Sequence, residues 1–335
     1  MSISYNTDIL IIGAGLAGLS AANDLQQAGH SVLVIDKGRG LGGRLAGRRI
    51  GEATFDHGAQ FMTAREPRFK AAVARWIKAG VAEEWYCSYP GQPNGHPRYR
   101  GVPTMTAIAK YLATDIQVMR NIRVETITPQ QTQWLAELGN GETVTANKLL
   151  ITSPVPQTLD LLTDIAVPTD KQARLDRIEY ESCLAVMAIL DGPTAIEAPG
   201  AIALDDGPIA WISDNLQKGV SKIPAVTIHG SGEFSAKHFE EDRMATGQQL
   251  VLDLYYEEAI AQRFFKGDDF RIRQILNNLL SNAIKYTKKG SVGVEITVDP
   301  VLKIAVMDTG IGIPEDKMAL LFDAFVMTND QHDRM

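Results

Sequence analysis

Asp8-Ile-Leu-Ile-Ile-Gly13-Ala-Gly15-Leu-Ala-Gly18, read through to Ser31-Val-Leu-Val-Ile-Asp36, decides the fold. Asp8 to Ile12 is a short unbroken apolar run, rich in β-branched residues and closed by glycine, the pattern of a parallel strand buried on both faces. Leu19 to Gln27 reads as a helix ended by Gly29, and Ser31 to Ile35 reads as a second buried strand. The three glycines stand at the strand-to-helix corner. Gly13 permits the tight turn, Gly15 lets backbone approach a pyrophosphate, and Gly18 lets helix and strand pack closely. Leu16 and Ala17 open the helix, whose unpaired N–H groups and positive dipole end suit phosphate. Asp36, at the end of the second strand, is an acceptor for ribose hydroxyls. This βαβ unit predicts a dinucleotide site built from Gly13, Gly15, Leu16, Ala17, Gly18 and Asp36, without distinguishing a flavin from a nicotinamide dinucleotide.

The next residues narrow the choice. Asp36-Lys37-Gly-Arg39-Gly-Leu-Gly42-Gly43-Arg44 resembles the extended signature of glutathione-reductase-like flavoproteins, and in particular of renalase-like amine oxidases. The resemblance implies that Lys37, Gly42, Gly43 and Arg44 close over the pyrophosphate of FAD. Adjacent glycines expose N–H groups, and a guanidinium holds phosphate oxygens through two parallel bonds. Asp56-His57-Gly58-Ala59-Gln60-Phe61 is similar to the family segment that runs beside the isoalloxazine ring, so His57, Gly58, Ala59 and Gln60 are expected near it. Val124, in Asn121–Ile127, matches the position whose backbone meets the adenine.

The resemblance runs from residue 5 to about 260. It implies an α/β fold in which a Rossmann-like FAD-binding domain carries an inserted antiparallel-sheet substrate domain. The FAD-binding part covers 1–80, and 81–230 is mostly substrate domain, with the Val124 region and 144–157 returning to the FAD domain. Residues 231–262 form a helical connection. Gly101–Met105 leads into a helix through Leu112. Trp134–Leu138, a Gly139-Asn-Gly141 turn and Val144 onward read as a hairpin, and Tyr180–Leu190, Ile209–Ser213 and Ala225–His229 as substrate-domain strands. His57, Trp211 and His229 are candidates for the catalytic pocket, along with Phe61. The implied chemistry belongs to the flavin: hydride leaves an amine or a reduced nicotinamide-type substrate, and oxygen reoxidises the ring.

Such flavoproteins close with a strand, a Gly-Asp pair and a helix, a segment that is not found here. Instead, residues 263–335 resemble part of the ATP-binding domain of histidine kinases. Asp268–Thr287 is similar to its asparagine-bearing helix. Ile272, Ile275, Leu276, Leu279, Ala283 and Ile284 form the expected core stripe, and Asn278, Asn282 and Lys285 face Mg²⁺–phosphate. Asp308-Thr-Gly310-Ile-Gly312-Ile-Pro314 is similar to the adenine-binding loop, with Asp308 accepting from the adenine amino group, and Leu321–Phe325 to the phenylalanine motif after it. The phosphate-covering lid motif is not found before Met335, so the resemblance implies a partial α/β sandwich joined to the flavin module. Lys303–Gly310 is also a strand with an Asp-Gly loop, which could stand in for the missing closing strand.

Composition frames these readings. Of 335 residues, 45% are hydrophobic and 22% charged, with a net charge of −7. Nucleic acid is not an expected partner, since there is no Lys/Arg stripe. The apolar run Ile9–Leu19 is too short to span a bilayer, so no membrane association is expected. Cys87 and Cys183 make neither a disulfide framework nor a metal site, which fits a reducing cytoplasm, and Cys183, in an apolar run, is expected in the core. The expected partner is a small-molecule substrate, the expected cofactor FAD, with ATP and Mg²⁺ at the C-terminal segment, and no resident metal in the flavin module. The reading is a flavin-dependent oxidoreductase. The alternatives are an ATP-binding signalling fragment fused to a flavin module, or a nonfunctional fusion.

Overall fold

The computed structural model describes residues 3–87, 95–251, 269–287, 291–298 and 302–313. The chain divides into two compact units, 1–241 and 242–335.

The first unit is organised by a six-stranded sheet in the order β7-β2-β1-β10-β9-β8. Its members are β1 (Ser4–Ile12), β2 (Val32–Asp36), β7 (Gln117–Arg120), β8 (Val124–Pro129), β9 (Trp134–Leu138) and β10 (Thr143–Ile151). The first four in that order run parallel, and β9 and β8 complete the sheet antiparallel. Strand pleating distributes the apolar runs to two cores. Ile9, Ile11, Val32 and Val34 face one side, against Leu19 and Ala22 of α1 (Leu16–Gln27), Val73 and Trp76 of α2 (Pro67–Lys78) and Ile108 and Leu112 of α3 (Thr106–Leu112). Leu10, Ile12, Leu33 and Ile35 face the other side, with Val124, Ile127, Ala136 and Val144. An alternating pattern would leave one face wet. The continuous runs cover both, as the sequence predicts.

A second, antiparallel sheet in the order β11-β14-β13-β12 joins β11 (Ala185–Ile189), β12 (Ala201–Ala203), β13 (Ile209–Asp214) and β14 (Ala225–Gly230). The hairpin of β3 (Gly47–Ile50) and β4 (Ala53–Asp56) packs Phe55 against this sheet at Ala225 and Met187. β5 (Ala82–Tyr86) pairs with β6 (Arg98–Gly101). Helices α4 (Val155–Leu161), α5 (Thr169–Leu175) and α6 (Gly232–His238) complete the unit.

Two expectations need correction here. The strand expected over Tyr180–Leu190 begins only at Ala185, and Cys183, expected in the core, is exposed. β11 is an edge strand, so the apolar character of the run reflects partial cover and not an interior position.

In the second unit, α7 (Asp269–Tyr286) lies against β15 (Val292–Val298) and β16 (Leu302–Asp308), which pair antiparallel as a separate sheet. β16 hydrogen-bonds to β15, so it does not take the place of a closing strand in the six-stranded sheet. The expected core stripe of α7 also needs correction. Leu280 and Ala283 are buried, whereas Ile275 and Leu279 are 58% and 41% exposed. Among the described residues, the stripe has only β15 and β16 against it. The phenylalanine motif at Leu321–Phe325 and the connection beyond Val251 lie outside the described residues.

Candidate functional site

The glycine corner opens on a cavity of about 1060 Å³. Gly13, Gly15, Leu16 and Ala17 of the corner line it, together with Asp36, Lys37 and Arg39 from the end of β2 and the turn after it, and Gly42, Gly43 and Arg44 form an adjoining wall. Val124 contributes from the start of β8 with Arg123 just before it, and Thr152 and Ser153 from the β10–α4 turn with Gln157 of α4. The cavity gathers the basic side chains Lys37, Arg39, Arg44 and Arg123 around a single carboxylate, Asp36.

Local geometry explains the glycines. Gly13 adopts φ +110°, a left-handed conformation that side chains disfavour. A Cβ at Gly18 would lie 1.9 Å from the Gly13 carbonyl oxygen and 2.8 Å from Thr152 Oγ1, so this glycine serves the packing of α1 on β1 and does not line the cavity. Gly15 differs from both. Its backbone is extended, at φ −76° and ψ −179°, and a Cβ there would meet no protein atom within 4 Å. Packing does not require a glycine at 15, while a ligand approaching the N-terminus of α1 does.

Asp36 is committed more heavily than the sequence suggests. Its Oδ2 accepts from the Ala14 amide at 2.6 Å and its Oδ1 from the Gly38 amide at 2.6 Å. The carboxylate therefore staples the glycine corner to the Lys37–Gly40 turn, and any ribose hydroxyl shares oxygens already in use. The Gly42 amide donates to the Ala14 carbonyl at 2.9 Å, tying the glycine pair to the same corner. The 3₁₀ turn Gly43–Leu45 then presents Arg44 to the cavity.

The segment 56–61 lies behind that wall. The Ala59 amide donates to the Arg44 carbonyl at 2.9 Å and the Gly58 amide to Ala46 at 3.3 Å. A Cβ at Gly58 would sit 2.2 Å from the Arg44 carbonyl oxygen, so only glycine allows this approach. One face of the antiparallel sheet grips the segment. Thr227 Oγ1 donates to the Asp56 carbonyl at 3.2 Å, and His229 Nε2 donates to the His57 carbonyl at 3.0 Å. A carbonyl only accepts, so the proton of neutral His229 is on Nε2. Gln60 is saturated. Its Nε2 donates to the carbonyls of Asp56 (2.5 Å) and Gly58 (3.1 Å), and its Oε1 accepts from Ser213 Oγ (2.9 Å) and Lys218 Nζ (3.2 Å). That uses every hydrogen bond a primary amide commonly makes.

Lys218 is the residue that sequence reasoning missed. Its side chain is fully buried, 3.0 Å from Asp56 Oδ2, an equally buried carboxylate, with the ammonium 4.8 Å from the ring centre of Trp85. Asp56 Oδ1 accepts from the Met105 amide at 3.0 Å. Burial pulls the Lys218 ammonium below the usual lysine range, and the Asp56 carboxylate opposes that shift. Burial likewise lowers His229, against the bond to the His57 carbonyl, and lowers His57, helped by nearby Arg48. No sequence pattern marks Lys218, because it is carried inward by a turn that the Asp214 carboxylate caps through the amides of Leu216 and Gln217.

The candidate residues thus fall into two groups. Gly13, Gly15, Leu16, Ala17, Asp36, Lys37, Gly42, Gly43, Arg44 and Val124 meet at the cavity. His57, Gly58, Ala59, Gln60, Trp211 and His229 do not line it. Trp211 belongs to an aromatic cluster, 5.3 Å from Phe61 and 6.3 Å from Trp85, where the Arg98 guanidinium lies over Phe61 and Tyr86. In the second unit, Asn278, Asn282 and Lys285 are exposed on α7. Asp308 Oδ1 accepts from the Gly310 amide at 2.7 Å, and Gly312 takes φ +70°.

Comparison with known proteins bears on both units. Residues 11–76 match the NAD(P)-binding Rossmann-like domain, and residues 267–334 match the histidine kinase-, DNA gyrase B- and HSP90-like ATPase family. A putrescine oxidase variant shares the fold with a TM-score of 0.60 at 16% identity, over 72% of this chain and 80% of that one. A candidate protoporphyrinogen oxidase from Exiguobacterium sp. 255-15 shares it with a TM-score of 0.53 at 14% identity, over 80% and 86%. The autoinducer 2 sensor kinase/phosphatase LuxQ of Vibrio cholerae is 45% identical over 93 residues, 26% of this chain. The aerobic respiration control sensor protein ArcB of Escherichia coli is 43% identical over 67 residues, 19% of this chain. The chain spans about a tenth of the length of these curated relatives. It therefore joins a Rossmann-like unit that shares the fold of a putrescine oxidase to a segment similar to histidine-kinase-type ATPases.

Proposed function

We propose that the first unit is a flavin-dependent oxidoreductase and that its cavity holds FAD. The observation that carries this reading is Gly15, where a side chain would meet only open cavity at the N-terminus of α1, beside the Gly42–Gly43 pair and the cavity-lining Arg44. Backbone N–H groups and four basic side chains suit a pyrophosphate, and the fold shared with a putrescine oxidase favours flavin over free nicotinamide dinucleotide as the resident group. Val124 and Arg123 flank the adenosine end, and Arg44 neutralises phosphate. The 57–60 segment does not line the cavity; held by Arg44 and Ala46 on one side and by the sheet on the other, it backs the wall that presents Arg44. Bound FAD supplies hydride acceptance. The substrate is an amine or a reduced nicotinamide-type molecule, with oxygen as oxidant. The test is the visible spectrum of the desalted protein before and after FAD addition. A retained flavin spectrum supports the reading, and a colourless protein that takes up no FAD overturns it.

The second unit favours a separate reading, ATP binding. It rests on the match over residues 267–334 and on the tight Asp308–Gly310 turn. Titration with a fluorescent ATP analogue tests it: binding in the native protein that disappears in Asp308→Ala supports the reading, and binding indifferent to Asp308 removes it.

A further inference from the structure

We propose that Gln60, held by the buried Lys218 and Ser213 of the antiparallel sheet, is a positioning residue for Arg44, so that the sheet sets the phosphate affinity of a cavity it does not line. The inference rests on the proposed dinucleotide site. A continuous relay of hydrogen bonds carries it. Lys218 Nζ and Ser213 Oγ fix the Gln60 amide oxygen, and the Gln60 amide nitrogen fixes the carbonyls of Asp56 and Gly58. The amides of Gly58 and Ala59 then hold the carbonyls of Ala46 and Arg44. Each end of the relay is anchored. At one end Lys218 is locked against Asp56 with no exposure, and at the other Gly42 is bonded to Ala14 in the glycine corner.

Little in this chain can yield. A Cβ at Gly58 would lie 2.2 Å from the Arg44 carbonyl oxygen, so the two backbones approach this closely only with glycine there. The amide of Gln60 has no donor or acceptor left over, which gives a near-saturated buried glutamine a job other than touching a ligand. Arg44 is exposed, and its backbone is what the relay holds. Loosening the relay frees the 3₁₀ turn and lowers the share of phosphate affinity that passes through this guanidinium.

A double-mutant cycle on the full chain tests this, with ADP and adenosine as probes in an Asp308→Ala background, so that adenine is not taken up by the second unit. Arg44→Ala is expected to weaken ADP by about tenfold, the share of one charge-assisted contact. Gln60→Leu is expected to weaken ADP by a similar factor while leaving adenosine unchanged. The double variant should be no weaker than Arg44→Ala alone, because both changes remove the same interaction. Additive losses, or an equal loss for adenosine, would overturn the proposal. If Gln60→Leu fails to fold, Ser213→Ala removes one donor to the Gln60 oxygen, keeps the Lys218–Asp56 pair and runs the same cycle. A protein that binds ADP through Arg44 but takes up no FAD sinks the flavin reading and still decides this one.

Discussion

At the scale of single residues, Gly15 and Gly18 occupy one sequence motif for opposite reasons. Gly18→Ala places a methyl 1.9 Å from the Gly13 carbonyl, so α1 must back away from β1. Overpacking of this kind costs about 1–3 kcal/mol, and a thermal melt should show it. Gly15→Ala adds a methyl that meets no protein atom on a backbone any residue adopts. The melting temperature should hold while dinucleotide affinity falls at least tenfold in a titration. If both variants lose stability alike, Gly15 is a structural glycine and the cavity loses its main argument. The motif positions were legible in the sequence because spacing reports a corner that the strand and helix impose. The division of labour between Gly15 and Gly18 was legible in the same motif, but the crowding that Thr152 adds at Gly18, on returning to the corner from β10, was hidden. The commitment of Asp36 to two backbone amides was equally hidden, because a carboxylate at a strand end looks the same whether it meets a ribose or its own loop.

At the scale of elements, β13 and β14 act as a grip on the segment 56–61. Trp211 pairs with His229 and Ser213 with Thr227 across the two strands, so all four side chains share one face. The sequence read both strands correctly from their apolar runs, but nothing local says what their polar residues hold, since the partner lies some 170 positions away. The grip predicts a pH dependence. Folding holds His57 and His229 below the ordinary histidine value, chiefly by burial. The unfolded chain therefore binds more protons below about pH 6.5. Their contribution to stability is complete above that value and is lost as pH falls through the folded-state values, at up to about 1.4 kcal/mol per pH unit for each group. Urea midpoints measured from pH 7.5 to 5.5 should fall. His229→Gln, which keeps a donor for the His57 carbonyl, should flatten the slope, and an unchanged slope would exclude His229 as a contributor.

At the scale of the molecule, the Asp56–Lys218 pair joins the β3–β4 hairpin to the turn after β13, and so ties the Rossmann-like part of the first unit to its antiparallel sheet. Lys218→Met strands a buried carboxylate, a change that costs about 3–5 kcal/mol. The Lys218→Met, Asp56→Asn double variant removes both charges and keeps an oxygen for the Met105 amide. Chemical denaturation should find the double variant more stable than the single one, and a single variant as stable as the native protein would mean that the pair is worth nothing. The two-part organisation was legible because each half carries its own motifs in order. The exposure of Ile275 and Leu279 on α7 was not, because an amphipathic stripe states what a helix can bury and not what it does bury.

The central position of β1 bears on how the polypeptide comes into being. Ile9 to Ile12 are flanked by β2 on one side and by Lys148–Ile151 of β10 on the other. During synthesis the first partner leaves the ribosome soon after β1 itself, but the second follows only after about 140 further residues, on the order of ten seconds at ordinary elongation rates. For that interval the apolar half of the strand, Ile9 to Ile12, has one open edge, the kind of nascent surface that chaperones occupy and that misassembles when many ribosomes work at once.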